Sequence, residues 1–270
     1  MLWIYLAIIG ACMGSFINVM AWRLPRKESL IWPGSHCPRC GCGVRWHDNI
    51  PVLAWIQLGG RCRDCRTTIP VRYPAVESLS AGLWVSAALA APTSMGELSS
   101  LFNLFAGVVL VSVLLPLVLI DLDHMWLPEP LCRAGLLLGL AFTATAAVSL
   151  GWSKGSTLLL DHLLAAAAAL IAMEGLSFLA KKLIGQPALG LGDAKLAAMA
   201  GAWLGLNGVA MAMTLAIISG AAVGLIGRLA GQLQPRQPFP FGPFIAFGVW
   251  GVWLCGSDWW WQHWLNLMGL

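Results

Sequence analysis

Charged side chains are scarce in this sequence: Asp, Glu, Lys and Arg make up 10% of 270 residues, against roughly 25% in soluble domains. With 59% hydrophobic residues and a mean hydropathy of +0.77, that scarcity excludes an ordinary soluble chain. Also missing is a basic segment ahead of the first apolar stretch. Residues 1–22 are followed, not preceded, by Arg23, Arg26 and Lys27, which reads as a retained anchor with its N-terminus outside and not as a cleaved secretory signal. No internal repeat of solenoid length is visible. The net charge of +4 by itself argues neither for nor against an anionic partner.

What the chain has instead is a series of apolar stretches, near 1–22, 75–92, 101–120, 131–150, 157–180, 194–206, 208–230 and 242–268. A membrane-spanning helix needs about 20 mostly apolar residues, so the expected fold is all-α, a polytopic bundle of about eight transmembrane helices. The long run 194–230 splits only at the turn signal Gly205-Leu206-Asn207-Gly208. Nine of the 16 Lys and Arg lie between the first two spans, which places that loop in the cytoplasm. Alternation then puts 121–130, the Lys181/Lys182 loop and the Arg228/Arg236 loop inside as well. Both termini fall outside, with Trp259-Trp260-Trp261 at the outer interface. Three regions follow: a first span (1–22), a small cytoplasmic domain (23–74) and a seven-helix membrane domain (75–270). The Ala165–Ala169 run reads as a close-packed helix face.

The cytoplasmic domain is too small to bury a large core unaided. It carries Cys37-Pro38-Arg39-Cys40 and Cys62-Arg63-Asp64-Cys65, two CxxC turns with 21 residues between them. Four thiolates in that spacing suit a structural Zn²⁺ ribbon, the metal supplying folding energy that the domain lacks. Disulfides are disfavoured in a reducing cytoplasm, and a redox CxxC needs no second copy. Cys42, two residues past Cys40, could replace a ligand, and His36 and His47 could in principle ligate. Cys12, Cys132 and Cys255 are expected as buried small hydrophobes. Topology alone explains the basic charge of the loop, and no nucleic-acid partner is expected.

Ionisable groups in or beside spans are costly and count as functional candidates. Asp121 ends the third span and Asp193 begins the sixth, after Gly190-Leu191-Gly192 and before Lys195. Parity puts both at the cytoplasmic edge. Two adjacent carboxyls cannot easily both ionise, so one keeps a proton and the pair can supply a general base and a general acid for hydrolysis. Gly190 and Gly192 allow an extended peptide to approach closely, and with Lys195 they are the candidate substrate-binding residues. From spacing alone, each aspartate could equally cap a helix or pair with Lys195 or Arg133. Asp123 and His124 are expected as interfacial neighbours. For Glu77, Glu174, Asp161 and His162 a polar bundle contact is the default.

In order along the chain, Gly14-Ser15-Phe16-Ile17-Asn18-Val19, Arg23-Leu24-Pro25, the two CxxC turns, Arg72-Tyr73-Pro74 with Glu77, Ile120-Asp121 through Leu127-Pro128, and Gly190-Leu191-Gly192-Asp193 with Lys195 resemble the type IV prepilin leader peptidases and N-methyltransferases. The likeness runs over nearly the whole chain. It implies a bifunctional enzyme of the bacterial inner membrane, working on prepilin and pseudopilin substrates with its active site toward the cytoplasm. Asp121 and Asp193 match that family's catalytic pair. Cys37, Cys40, Cys62 and Cys65 match its four thiols, with Cys42 an extra one, and Glu129 stands where relatives often carry Asp. The resemblance also implies methylation of the new amino terminus by S-adenosylmethionine, with Glu77 and Asn18 the candidate cofactor-binding residues. A competing class is a proton-coupled transporter with a zinc-ribbon sensor, in which Asp121, Glu174 and Asp193 form a relay.

Overall fold

The computed structural model describes residues 1–90, 97–185, 190–232, 234, 237 and 239–269. Part of the expected outer turn (91–96), residues 186–189 and Arg236 lie outside these. Among the described residues the fold is all-helical, without strands: α1 Leu2–Arg23, α2 Leu53–Gln57, α3 Arg72–Ala90, α4 Glu97–His124, α5 Glu129–Leu150, α6 Trp152–Ile184, α7 Leu191–Leu229, α8 Gly242–Cys255 and α9 Ser257–Met268. Five of the described helices, α1, α4, α5, α6 and α7, contain stretches long and apolar enough to cross a membrane. The chain forms two compact units, Met1–Pro116 and Leu117–Leu270, the division in sequence falling within α4.

In the first unit α1 packs against α3 through a seam that is tight at two glycines. A Cβ on Gly10 would sit 3.0 Å from Ala81 Cα, and one on Gly14 only 2.7 Å from Glu77 Cα. Small residues therefore let the backbones touch. The buried Arg23 ends α1 and gathers the loop beyond it, its guanidinium donating to the carbonyls of Ser29 (2.8 Å) and Pro33 (2.7 Å).

In the second unit α7 packs on α5, α6 and α8, and glycines again set the spacing. A Cβ on Gly201 would meet the Ala165 carbonyl carbon at 2.6 Å, and one on Gly139 the Trp203 ring at 2.7 Å. Gly201 meets the first residue of the alanine run expected to be a packing face. A straight helix of 39 residues would be about 58 Å long, nearly twice the ~30 Å hydrocarbon core. It breaks at Gly205, whose φ of 68° and ψ of −177° suit glycine alone. The expected split of 194–230 thus appears as a break at Gly205, with Leu206–Gly208 already helical. The neighbouring α6 satisfies both sides of it. Asp161 Oδ2 accepts the N–H of Leu206 (3.1 Å), and His162 Nδ1 donates to the Ala202 carbonyl (2.9 Å), which Thr143 also approaches.

Three expectations need correction. The stretch 242–268 is not one helix: Gly256, at φ 81°, ends α8 and caps α9. Glu174 is exposed on α6 instead of making a bundle contact. Cys132 is buried, but Cys12 and Cys255 are exposed on their helices.

Candidate active site and cysteine cluster

The two CxxC segments fold into matching turns. In the first, the Cys37 N–H donates to the Cys42 carbonyl (2.9 Å) and Gly41 N–H returns to Cys37. In the second, Cys62 N–H donates to the Thr67 carbonyl (2.8 Å) and Arg66 N–H returns to Cys62. Gly41 and Arg66 share the left-handed backbone, φ 71° and 59°, and an antiparallel bridge closes each turn, His36 with Gly43 and Arg61 with Thr68. The geometry brings together the sulfurs of Cys37, Cys40, Cys62 and Cys65, all within 4.8 Å of one another. Cys37 and Cys65 are 3.7 Å apart, close to the ~3.8 Å edge of a tetrahedron with 2.3 Å metal–sulfur bonds. These four cysteines could hold a metal ion. The N–H groups of Cys40 and Arg39 hold the Cys37 thiol down to about 6, favouring the thiolate that a metal needs. Cys42, His36 and His47 lie outside the four.

The rest of the domain ties these turns to α1 and α3. Arg63 grips Asp48 with two hydrogen bonds, 2.7 and 2.5 Å, and this holds the Asp48 carboxyl below the usual range. Trp55 donates to the Ile69 carbonyl (3.0 Å) and fills the space over Gly60. Glu77, buried on α3, accepts the N–H of Val52 (2.7 Å). Val52 has φ 61°, unusual for a β-branched residue. Asn18 donates to the Tyr73 carbonyl (3.3 Å). Glu77 and Asn18 therefore lie on one polar seam where α1, α3 and the loop domain join.

Both aspartates belong to the second unit. Asp121 lies one turn before the end of α4 and is 4% exposed; Asp193 lies in the first turn of α7 and is 9% exposed. Gly190 and Asp193 close reciprocally, the Asp193 N–H donating to the Gly190 carbonyl (3.1 Å) and its carboxylate accepting the Gly190 N–H (3.0 Å). The two carboxyls are close enough to interact electrostatically. Gly192 has Leu127 where a Cβ would go, at 2.9 Å, so the segment after Asp121 and the Gly-rich entry to α7 touch. Lys195, expected at the substrate, pairs with Glu129 (2.9 Å), which also bridges Arg133. That triad ties the start of α5 to the start of α7. Asp123 and His124 are exposed.

Gly242 was not anticipated. Its N–H donates to Asp121 Oδ2 at 2.8 Å, across 121 positions of sequence. The signals were Phe241-Gly242-Pro243 at the start of an apolar run, and the parity that puts the preceding loop on the side of the two aspartates.

Family models agree with this organisation. The bacterial peptidase A24 N-terminal domain matches residues 8–91, and the type IV leader peptidase family matches residues 108–225. The chain is 38% identical over 234 residues to a prepilin leader peptidase/N-methyltransferase of Myxococcus xanthus, covering 86% of this chain and 65% of that relative. Relatives of the same name from Burkholderia pseudomallei and Aeromonas hydrophila are 34% and 33% identical over 89% and 95% of this chain, which spans 81% and 92% of them. No solved structure matches. On the strength of both domain models and of these relatives, the chain belongs to the type IV leader peptidase family.

Proposed function

We propose that this multi-pass inner-membrane protein removes the leader peptide from prepilins and pseudopilins by aspartyl-dyad hydrolysis, and methylates the amino terminus so released. What carries the reading is the pair Asp121 and Asp193: two buried carboxyls from different helices, close enough to interact and each held by a glycine N–H, in a chain of this family. One carboxyl takes a proton from water as water attacks the scissile carbonyl, and the other protonates the leaving amine. Water is the nucleophile and no acyl-enzyme forms. The substrate unwinds beside Gly190 and Gly192, with Lys195 on the same rim.

The finer topology belongs to the same proposal. Eight spans, with the two halves of α7 crossing separately and α8 with α9 forming the last, leave the 23–74 domain and both aspartates facing the cytoplasm, in line with the basic loop. Zn²⁺ held by Cys37, Cys40, Cys62 and Cys65 is structural, since four thiolates leave no open coordination position. S-adenosylmethionine supplies the methyl group. Glu77 and Asn18 are proposed to line its site, where the carboxylate would accept the proton that the new N-terminus must lose for its amine to take the methyl group. The transporter alternative gains no support from the relatives, and the exposed position of Glu174 does not suit a buried relay.

The test is incubation of the purified protein with a prepilin in detergent, with leader loss and N-methylation read by mass spectrometry. Asp121→Asn or Asp193→Asn should abolish cleavage in a folded protein, while Asp123→Asn stays active. A folded Asp193→Asn protein cutting near the wild-type rate would sink the dyad.

A further inference from the structure

We propose that Gly242 positions Asp121 as Gly190 positions Asp193, making the start of α8 part of the peptidase site; this rests on the dyad reading. Each carboxyl has one oxygen held by the main-chain N–H of a glycine, 2.8 Å from Gly242 and 3.0 Å from Gly190. Both donors sit at helix starts, Gly242 beginning α8 and Gly190 capping α7, where an N–H has no intrahelical partner to satisfy. In each case the glycine N–H holds Oδ2, one of the two oxygens that the dyad reading needs for water and the leaving amine.

A Cβ at position 242 would lie 2.7 Å from Asp121 Oδ2 and 3.2 Å from its Cγ, so the carboxyl would have to shift to admit it. Packing that does not involve Asp121 delivers this amide. The Phe241 ring lies over Gly220, where a Cβ would meet it at 3.3 Å, and the Phe239 ring lies over Gly224 at 3.6 Å. Phe244 contacts both rings, with centroids 5.9 and 6.3 Å away. Pro243, the second residue of α8, presets helical φ. Two glycines on the second half of α7 thus seat an aromatic wedge, and the wedge aims one N–H at Asp121. Gly242 is a positioning residue and does not touch the reacting atoms.

The experiment compares the full-length protein with Gly242→Ala, Gly251→Ala and Asp121→Asn in steady-state prepilin cleavage. Gly251 is on the same helix, and a Cβ there would meet only Trp260 Cζ2 at 3.6 Å, so its variant should match wild type. Gly242→Ala should lower kcat about a hundredfold, the scale for a misplaced catalytic group, with KM unchanged. A near wild-type kcat in folded Gly242→Ala, beside an inactive Asp121→Asn, overturns the positioning role and spares the dyad; an active Asp121→Asn removes the dyad itself. If Gly242→Ala is too unstable for kinetics, its melting temperature is compared in the native and Asp121→Ala backgrounds. A drop only where the carboxylate is present supports the proposal, and an equal drop in both overturns it.

Discussion

The cysteine domain and the aspartate unit solve the same problem, that of holding reactive groups in place, at different ranges of sequence. The four clustered thiols span 29 residues, each pair presented by its own turn. The aspartates are 72 positions apart, and one of them accepts a hydrogen bond from an amide 121 positions away. In the first case local backbone does the positioning, and a metal would lock it. In the second, helix spacing does it, set by glycines where backbones meet side chains or one another. The cysteine domain should therefore fail all at once when one ligand goes, and the membrane unit should fail by degrees.

The sharpest break of that contrast is a ligand deletion. Cys37→Ser, Cys40→Ser, Cys62→Ser or Cys65→Ser should each lose the whole metal content, about one atom per chain by elemental analysis, because a three-thiolate remnant no longer closes the tetrahedral site. Proteolysis should then cut within 23–74 while the membrane helices stay protected. If each single variant kept its metal, the domain would not be organised by these four thiols.

The same difference of range explains what the sequence disclosed. The CxxC turns and the aspartate motifs were legible because each is a local pattern with a chemical reason. The apolar runs gave most helices, since length and hydropathy suffice for a span. The break in α7 was foreseen because Gly205 precedes Asn207-Gly208. The division between α8 and α9 was missed because the Trp-rich run continues through Gly256-Ser257-Asp258, which is itself a turn and helix-start signal. Phe241-Gly242-Pro243 signals a helix start but not its partner, and nothing local marks Asp161 and His162 as caps of the α7 break: both are hydrogen bonds between helices, and their partners exist only once the bundle has packed.

An intermediate effect tests the helix-spacing side. Gly201→Ala places a Cβ 2.6 Å from the Ala165 carbonyl, so α6 and α7 must separate, at a cost of about 1–3 kcal/mol for overpacking. Thermal unfolding in detergent should show a lower midpoint with metal content unchanged. Gly175→Ala on α6, where a Cβ meets nothing within 4 Å, is the control. Equal midpoints for the two variants would mean that glycine is not what sets this interface.

The smallest effect is expected at Cys42, and it sharpens the comparison from the cysteine side. A fifth thiol two residues from a ligand is an obvious substitute donor, yet the turns assign it a different task. Cys42 stands in the first turn where Thr67 stands in the second, and both use the main-chain carbonyl to accept the N–H of the leading cysteine, at 2.9 and 2.8 Å. That role needs no sulfur. Its side chain is exposed, outside the group of four. Cys42→Thr, which copies the second turn into the first, should leave metal content, protease resistance and cleavage at wild-type values. Loss of metal in Cys42→Thr, with Cys40→Ser still loaded, would show that Cys42 and not Cys40 completes the site, and that the two turns are less alike than their backbones.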